Sequence, residues 1–345
     1  MRIGLQMQLD RPVFIGGTGR SGTSIMAKLL NTHADFCLPG HENKLIVEHG
    51  GLRDIVDRLS GRYDITRFHF IIQDFLSRAQ QMQQFGFPVA ELNQRLNQLR
   101  KERKLGFQQA FEIVQRENPT IPGSIHAIGQ GFGIEHYITC TKAFLLRIAA
   151  HIAPDGIVDS HGLLKPFFMA KTFTREAILA ECRRFLDELY AQPVSAAKAS
   201  RWVDDTPLNF VNFDFLHELY PKMKFIHMIR DPRDVASSFT SQPWFPSDQP
   251  LAISVCAAMI RSYRALKDSV PADSLLEVRL EDLVHKTNET VAAVAAFLEV
   301  ENRFNTAMVS PDKANIGRSR DFDPTLTEAV NRELGDWMRL QGYLE

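Results

Sequence analysis

Arg20, Ser21, Thr23 and Ser24 fall in "VFIGGTGRSGTSIMAKLL", Val13–Leu30, where a glycine turn separates an apolar run from residues at helical spacing. Such a turn aims its backbone N–H groups inward. The helix after it adds unpaired N–H groups and the positive end of its dipole, so the two together can hold a phosphate. From Gly17 the stretch follows the G-x-x-x-x-G-K-[ST] pattern of a phosphate loop, except that Thr23 stands where the lysine belongs. The strong cation inside the loop is Arg20 instead, which favours a ligand other than a nucleoside triphosphate.

A second stretch, "KFIHMIRDPRDVASS", Lys224–Ser238, carries an apolar run to Arg230, then Pro232 at a helix start and Ser238 on that helix. A guanidinium at a strand end and a hydroxyl about two turns into the next helix can converge on one phosphate. Taken alone, the same residues read as an Asp231–Arg233 surface pair at a helix start, with Ser238 solvated.

These residues need strands and helices to position them. "PVFIG" and "KFIHMIR" read as strands, as do "RWVDDTP" and "LLEVRLE". Helices are expected at Ser24–His33, about Asn209–Tyr220, from Pro232, around Leu251–Leu266 and at Thr287–Leu298. Strands separated by helices predict an α/β fold, a parallel sheet flanked by helices in the manner of P-loop NTPases. Between them, Leu45–Leu189 carries apolar faces at 3.6-residue period. The expectation is a single domain over 1–345 with a mostly helical insertion at 45–195.

The 345 residues carry 40 Lys and Arg against 41 Asp and Glu, a formal net charge of -1, so the basic excess of a nucleic-acid binder is missing. The four cysteines, Cys37, Cys140, Cys182 and Cys256, are widely separated and have no zinc spacing; they read as buried free thiols. The opening "MRIGLQMQLDRP" lacks a long apolar core, and no run of about 18 apolar residues occurs anywhere, which predicts a soluble cytoplasmic protein without a transmembrane segment.

Taken together, the cation-S-G-T-S turn and the R-D-P-R-D-x-x-x-S helix start, about 210 residues apart, resemble the two signature elements of sulfotransferases that use 3′-phosphoadenosine 5′-phosphosulfate (PAPS). The resemblance implies that Gly19, Arg20, Ser21, Gly22, Thr23 and Ser24 meet the 5′-phosphosulfate, and that Arg230 and Ser238 meet the 3′-phosphate. It implies PAPS as co-substrate, adenosine 3′,5′-bisphosphate (PAP) as product, and no metal. The missing lysine then follows, because this donor has no γ-phosphate to grip.

By the same resemblance, the tyrosylprotein-type branch places its base in a glycine-glutamate-glutamate segment. Here "LPGHENK" brings Gly40, His41 and Glu42 into register, with Glu42 as base and His41 as the competitor, since other branches use histidine. "VRLEDLV", Val278–Val284, resembles the family's late strand and following turn. "DKANIGRSRDF" loosely resembles its basic late loop, with Lys313, Arg318 and Arg320 around Gly317. "RWVDDTP" departs from the family: Asp205 occupies the place of a lysine that touches the leaving group.

Three readings of Asp205 stay open. Lys28, Lys44 or another lysine substitutes; Asp205 acts on the acceptor; or the nucleotide is bound but transferred poorly. His161 and the aromatic "WFP", Trp244–Pro246, are candidates for lining the acceptor pocket, with packing as the alternative for each. The acceptor is expected to be a hydroxyl, or less often an amine, on a glycan, peptide, lipid-linked precursor or small metabolite. Two alternatives compete: an atypical P-loop small-molecule kinase, which lacks a Walker B aspartate here, and a PAP-binding protein of weak catalytic power.

Overall fold

Alternation within the strands decides the architecture. In β1 (Val13–Gly16), Val13 and Ile15 point one way and Phe14 the other, and all are fully buried. A strand buried on both faces belongs inside a parallel sheet with helices on each side. The computed structural model of the chain shows such a sheet; it describes residues 7–40, 42–61, 64–82, 89–117, 131–152, 167–172, 174–242, 245–310, 314–317 and 324–345.

After β1 come α1 (Thr23–Leu30), β2 (Phe36–Cys37), α2 (Leu52–Leu59), α3 (Ile65–Gln81), α4 (Val89–Arg103), α5 (Phe107–Glu117) and α6 (Ile134–Ile148). The chain continues through β3 (Ala149–Ile152), β4 (Phe167–Ala170), α7 (Arg175–Ala197), β5 (Arg201–Asp204), α8 (Phe213–Leu219), β6 (Lys224–Ile229) and α9 (Pro232–Thr240). It ends with α10 (Gln249–Leu266), β7 (Leu275–Arg279), α11 (Leu280–His285), α12 (Thr287–Leu298) and α13 (Pro324–Leu340). Two compact units divide the described chain: 1–38, 93–114 and 198–345 form one, and 39–92 and 115–197 the other.

The first unit holds the sheet, in order β2-β5-β1-β6-β7, with every pairing parallel. Its two faces differ in chemistry. Val13, Ile15, Val203, Ile226, Met228 and Val278 pack an aliphatic layer against Met26, Leu29 and Leu30 of α1 and Val291, Val294 and Leu298 of α12. On the opposite face Phe14 meets Trp202 edge-on at 5.2 Å, and Phe213, Phe225, His227 and Tyr263 continue the aromatic layer. Side chains alternate along a strand, so one sequence supplies both layers.

The second unit is built on α2, α3, α6 and α7, whose apolar faces bury Ile55, Ile72, Phe75, Phe144 and Phe185. Its helices fit the expected 3.6-residue period, but one stretch differs. The apolar run after Leu145 leaves the helix at Ile148, and Ala149–Ile152 pairs antiparallel with Phe167–Ala170. Period alone does not separate a short apolar strand from a buried helical turn; the partner strand does. All four cysteines are free and buried, and among the described residues no helix is long and apolar enough to cross a membrane.

Candidate active site

Where β1 ends, the backbone curls. Gly17 N–H donates to the Pro207 carbonyl at 3.0 Å; a Cβ at Gly17 would lie 2.6 Å from the Met228 carbonyl oxygen, so no side chain fits there. Three residues then take positive φ: Gly19 at 77°, Arg20 at 55° and Gly22 at 97°. Arg20 is the unexpected one, because a non-glycine residue in this region carries strain of about 1–2 kcal/mol. Gly22 caps α1 with no side-chain hydrogen bond, and no acidic residue sits in the first turn. The helix end therefore keeps its N–H groups and its dipole for a ligand.

Next to it in the sheet, β6 ends at Ile229 and hands on to Arg230. Asp231 caps α9 by accepting from Arg233 N–H, and Pro232 occupies the first turn. The Asp231–Arg233 ion pair exists as well, at 2.6 Å, but Ser238 is 1% exposed and not solvated. Arg230 and Asp234 form an ion pair at 3.4 Å with side chains 4% and 2% exposed. Arg230 also donates to the Arg20 carbonyl at 2.8 Å and the Asn315 carbonyl at 2.5 Å. Asp234 in turn accepts from Gly317 N–H at 2.6 Å.

The two motifs meet. Arg20 Nε donates to Ser238 Oγ at 3.0 Å, and Arg20, Gly22, Thr23, Ser24, Arg230 and Ser238 line one cavity of ≈ 190 Å³. Ile25, Leu280, Ala314 and Asn315 complete its wall. Two buried polar atoms here, Ser21 Oγ and Arg230 Nε, have no hydrogen-bond partner. Buried polar atoms are ordinarily satisfied, so a cradle of two guanidiniums, a helix N-terminus and orphaned donors fits a bound anion such as the phosphates of PAPS. Among the described residues no group of His, Cys, Asp or Glu is arranged to hold a metal ion.

Sequence reasoning missed Asp234, Leu280, Ala314 and Asn315. Asp234 was visible as the second aspartate of "RDPRD", and only its burial distinguishes it from a surface acid. Asp204 ties down the turn after β5, accepting from Thr206 Oγ1 at 3.1 Å and Asn209 Nδ2 at 2.8 Å. Asp205 is buried, 6% exposed, and is not among the residues lining the cavity. Lys28 sits exposed in the last turn of α1, away from the loop.

In the second unit, Glu42 is 21% exposed and lies 3.8 Å from Lys44, which also approaches Glu48 at 3.7 Å. Fully buried Asn43 anchors this stretch by donating to Tyr190 Oη at 3.2 Å. His41, His161, Trp244, Lys313, Arg318 and Arg320 lie outside the described residues.

Residues 147–304 match the model of the sulfotransferase family. The nodulation protein NoeE of Sinorhizobium fredii (strain NBRC 101917 / NGR234) is 31% identical over 137 residues, 34% of this chain and 32% of that protein, so the match spans about a third of the relative's length. Among solved structures, the sulfotransferase domain of the Synechococcus PCC 7002 olefin synthase is 18% identical with a TM-score of 0.43, covering 95% of this chain and 88% of that one. Sulfotransferase STF1 of Mycobacterium tuberculosis H37Rv is 13% identical with a TM-score of 0.43, covering 96% and 78%.

Proposed function

We propose, from the match of residues 147–304 to the sulfotransferase family model and from the site's geometry, that the chain transfers the sulfuryl group of PAPS to an acceptor hydroxyl. The observation that carries this reading is the convergence of Arg20, Arg230 and Ser238 with the uncapped α1 N-terminus on one cavity. A loop with Thr23 in the Walker lysine's place and Arg20 as its cation suits a donor whose phosphates are a 5′-phosphosulfate and a 3′-monophosphate.

The loop amides and Arg20 would hold the 5′ end and take up charge as the sulfur–oxygen bond to the 5′-phosphate breaks. Arg230 and Ser238 would hold the 3′-phosphate and thereby fix the direction of the donor. Glu42 is the proposed base: its carboxylate takes the acceptor proton as the new sulfur–oxygen bond forms, leaving PAP. His41 is the competing base and Arg318 the proposed late-loop contact to the 3′-phosphate. The helical segment 45–195 is proposed to shape the acceptor site. With Asp205 buried in the lysine's place, Arg20 is the cation proposed to serve the leaving group.

The test is sulfuryl transfer from labelled PAPS to a panel of hydroxyl-bearing glycans, peptides and small metabolites, by wild type and Glu42→Gln. The expected result is turnover on one acceptor class by wild type, and at least a hundredfold loss in Glu42→Gln with PAP affinity unchanged. Equal turnover by the variant would remove Glu42 as base. PAP binding without turnover on any acceptor would favour a nucleotide-binding role instead.

A further inference from the structure

α10 and α13 pack side by side, with the rings of Tyr263 and Trp337 in edge contact at 6.1 Å, and a groove of ≈ 180 Å³ runs between them. Arg261, Arg264, Arg332 and Arg339 line it, with Glu333 and Asp336 as the acidic residues. Arg261 and Arg264 stand three apart on α10, and Arg332 and Arg339 two turns apart on α13, so each helix turns a basic face to the groove. The acids serve only half of these cations: Arg261 lies 3.4 Å from Glu333, and Arg339 lies 3.0 Å from Asp336. Arg264 and Arg332 have no ion-pair or hydrogen-bond partner among the described residues.

The floor of the groove is equally unexplained by packing. Gly335 is buried in the middle of α13, where glycine weakens a helix relative to alanine. Yet a Cβ there would meet nothing closer than Arg339 Nη1 at 3.6 Å, the far end of a flexible side chain. The fold thus has room for a methyl group that the sequence omits. One turn earlier, Asn331 lines the same groove with a buried Oδ1 that has no hydrogen-bond partner. An orphaned acceptor asks for a donor, and unpaired guanidiniums ask for an anion.

We propose that this groove is a second anion site, which takes a small hydroxyl-bearing molecule carrying a tetrahedral oxyanion, phosphate or sulfate. Arg264 and Arg332 grip the oxyanion, a ligand hydroxyl donates to Asn331 Oδ1, and the body of the ligand lies over Gly335. The groove shares no lining residue with the cavity at the ends of β1 and β6, so the proposal stands apart from the reading of that cavity.

The test is a calorimetric titration of glycerol 3-phosphate at low ionic strength into wild type, the Arg264→Ala/Arg332→Ala double variant, Gly335→Ala and Arg20→Ala. Both groove arginines are exposed, so the double variant keeps its fold. Saturable binding is expected in wild type and in Arg20→Ala, weakened at least tenfold in the double variant. Gly335→Ala should raise Tm and yet weaken binding, because the added methyl supports the helix and fills the floor. Three results would overturn the site: no saturable binding, binding lost in Arg20→Ala but kept in the double variant, or Gly335→Ala gaining stability at unchanged affinity.

Discussion

The ends of β1 and β6 lie side by side in the sheet and line one cavity, but they do so by opposite means. After β1 the chain offers backbone: Gly22 caps α1 without a side chain, and Gly19, Arg20 and Gly22 turn through positive φ. After β6 it offers a side chain, Arg230, sunk to 4% exposure and held by Asp234 and two carbonyls. The backbone cradle depends on the absence of Cβ atoms, whereas the arginine anchor depends on a buried ion pair. A desolvated pair is weak evidence of stability but a severe liability when one partner is removed. The two halves should therefore fail differently under mutation.

The largest effect is expected at the β6 end. Arg230→Ala leaves Asp234 buried without its cation and should cost about 3 kcal/mol of stability, read as a lowered midpoint in urea unfolding. A change below about 1 kcal/mol would mean that the other partners of Asp234, Gly317 N–H among them, suffice to satisfy it. Next comes the cradle. Gly17→Ala drives a Cβ to 2.6 Å from the Met228 carbonyl oxygen and 2.3 Å from Ser21 Oγ; the serine can rotate but the strand cannot. A cost of about 2 kcal/mol is expected, with the loop displaced toward solvent in a crystal structure of the variant.

Acid should weaken the aromatic face behind both strand ends. Glu277 accepts from Tyr263 Oη at 2.6 Å and from Lys267 Nζ at 2.8 Å. Burial pushes its carboxyl up, but the surrounding polar groups of His227, Lys267 and Tyr263 outweigh that and hold it at about 2, below its ordinary 4.5. Burial also lowers His227, which is kept neutral. Unfolding lets both groups bind protons they refuse in the native state. The Glu277 contribution is complete above pH 4.5 and is lost as pH falls toward 2, while that of His227 begins to fade below about 6.5. A Tm series should fall on acidification, and Glu277→Gln should flatten the lower part of that fall. Screening at the half-buried carboxylate limits its share to about 1 kcal/mol.

The smallest stability effect is expected at Ser238→Ala, which removes the acceptor of Arg20 Nε at 3.0 Å. A cost of about 0.5–1 kcal/mol in folding is expected. PAP affinity should fall about tenfold, the size of one charge-assisted hydrogen bond. This variant sharpens the comparison because it separates binding from folding, which Arg230→Ala confounds. Unchanged PAP affinity would place the 3′-phosphate elsewhere.

Four of the five sheet strands and the helices beside them were readable because apolar runs and 3.6-residue period coincide with breakers there, as at Gly16 and Pro232, whereas the two-residue β2, Phe36–Cys37, lies in a stretch that reads as irregular. The strand Ala149–Ile152 was not readable either, because the four residues AAHI following a helix are too few to carry a period of their own. In the site, both Arg20 and Ser238 were tied to phosphate chemistry by their motifs, but to opposite ends of the donor, so their direct contact is a finding of the structure. Asp234 and Asn315 were not legible: one is an acid made special only by burial, and the other contributes a backbone carbonyl, which no residue type announces. The left-handed φ of Arg20 was hidden for a similar reason, because residue type assigns positive φ to the glycines around it, Gly19 and Gly22, and not to an arginine.

The most direct test of the central claim, that the two strand ends together hold a 3′-phosphate-bearing nucleotide, is a thermal shift of wild type and Arg20→Ala with PAP, ADP, and ATP with magnesium. A ligand at 100 times its Kd adds about 2.7 kcal/mol to the native state. The account predicts that PAP stabilises wild type well beyond ADP or magnesium-ATP, and that Arg20→Ala loses most of that gain. Stabilisation by magnesium-ATP alone, with PAP inert, would contradict it.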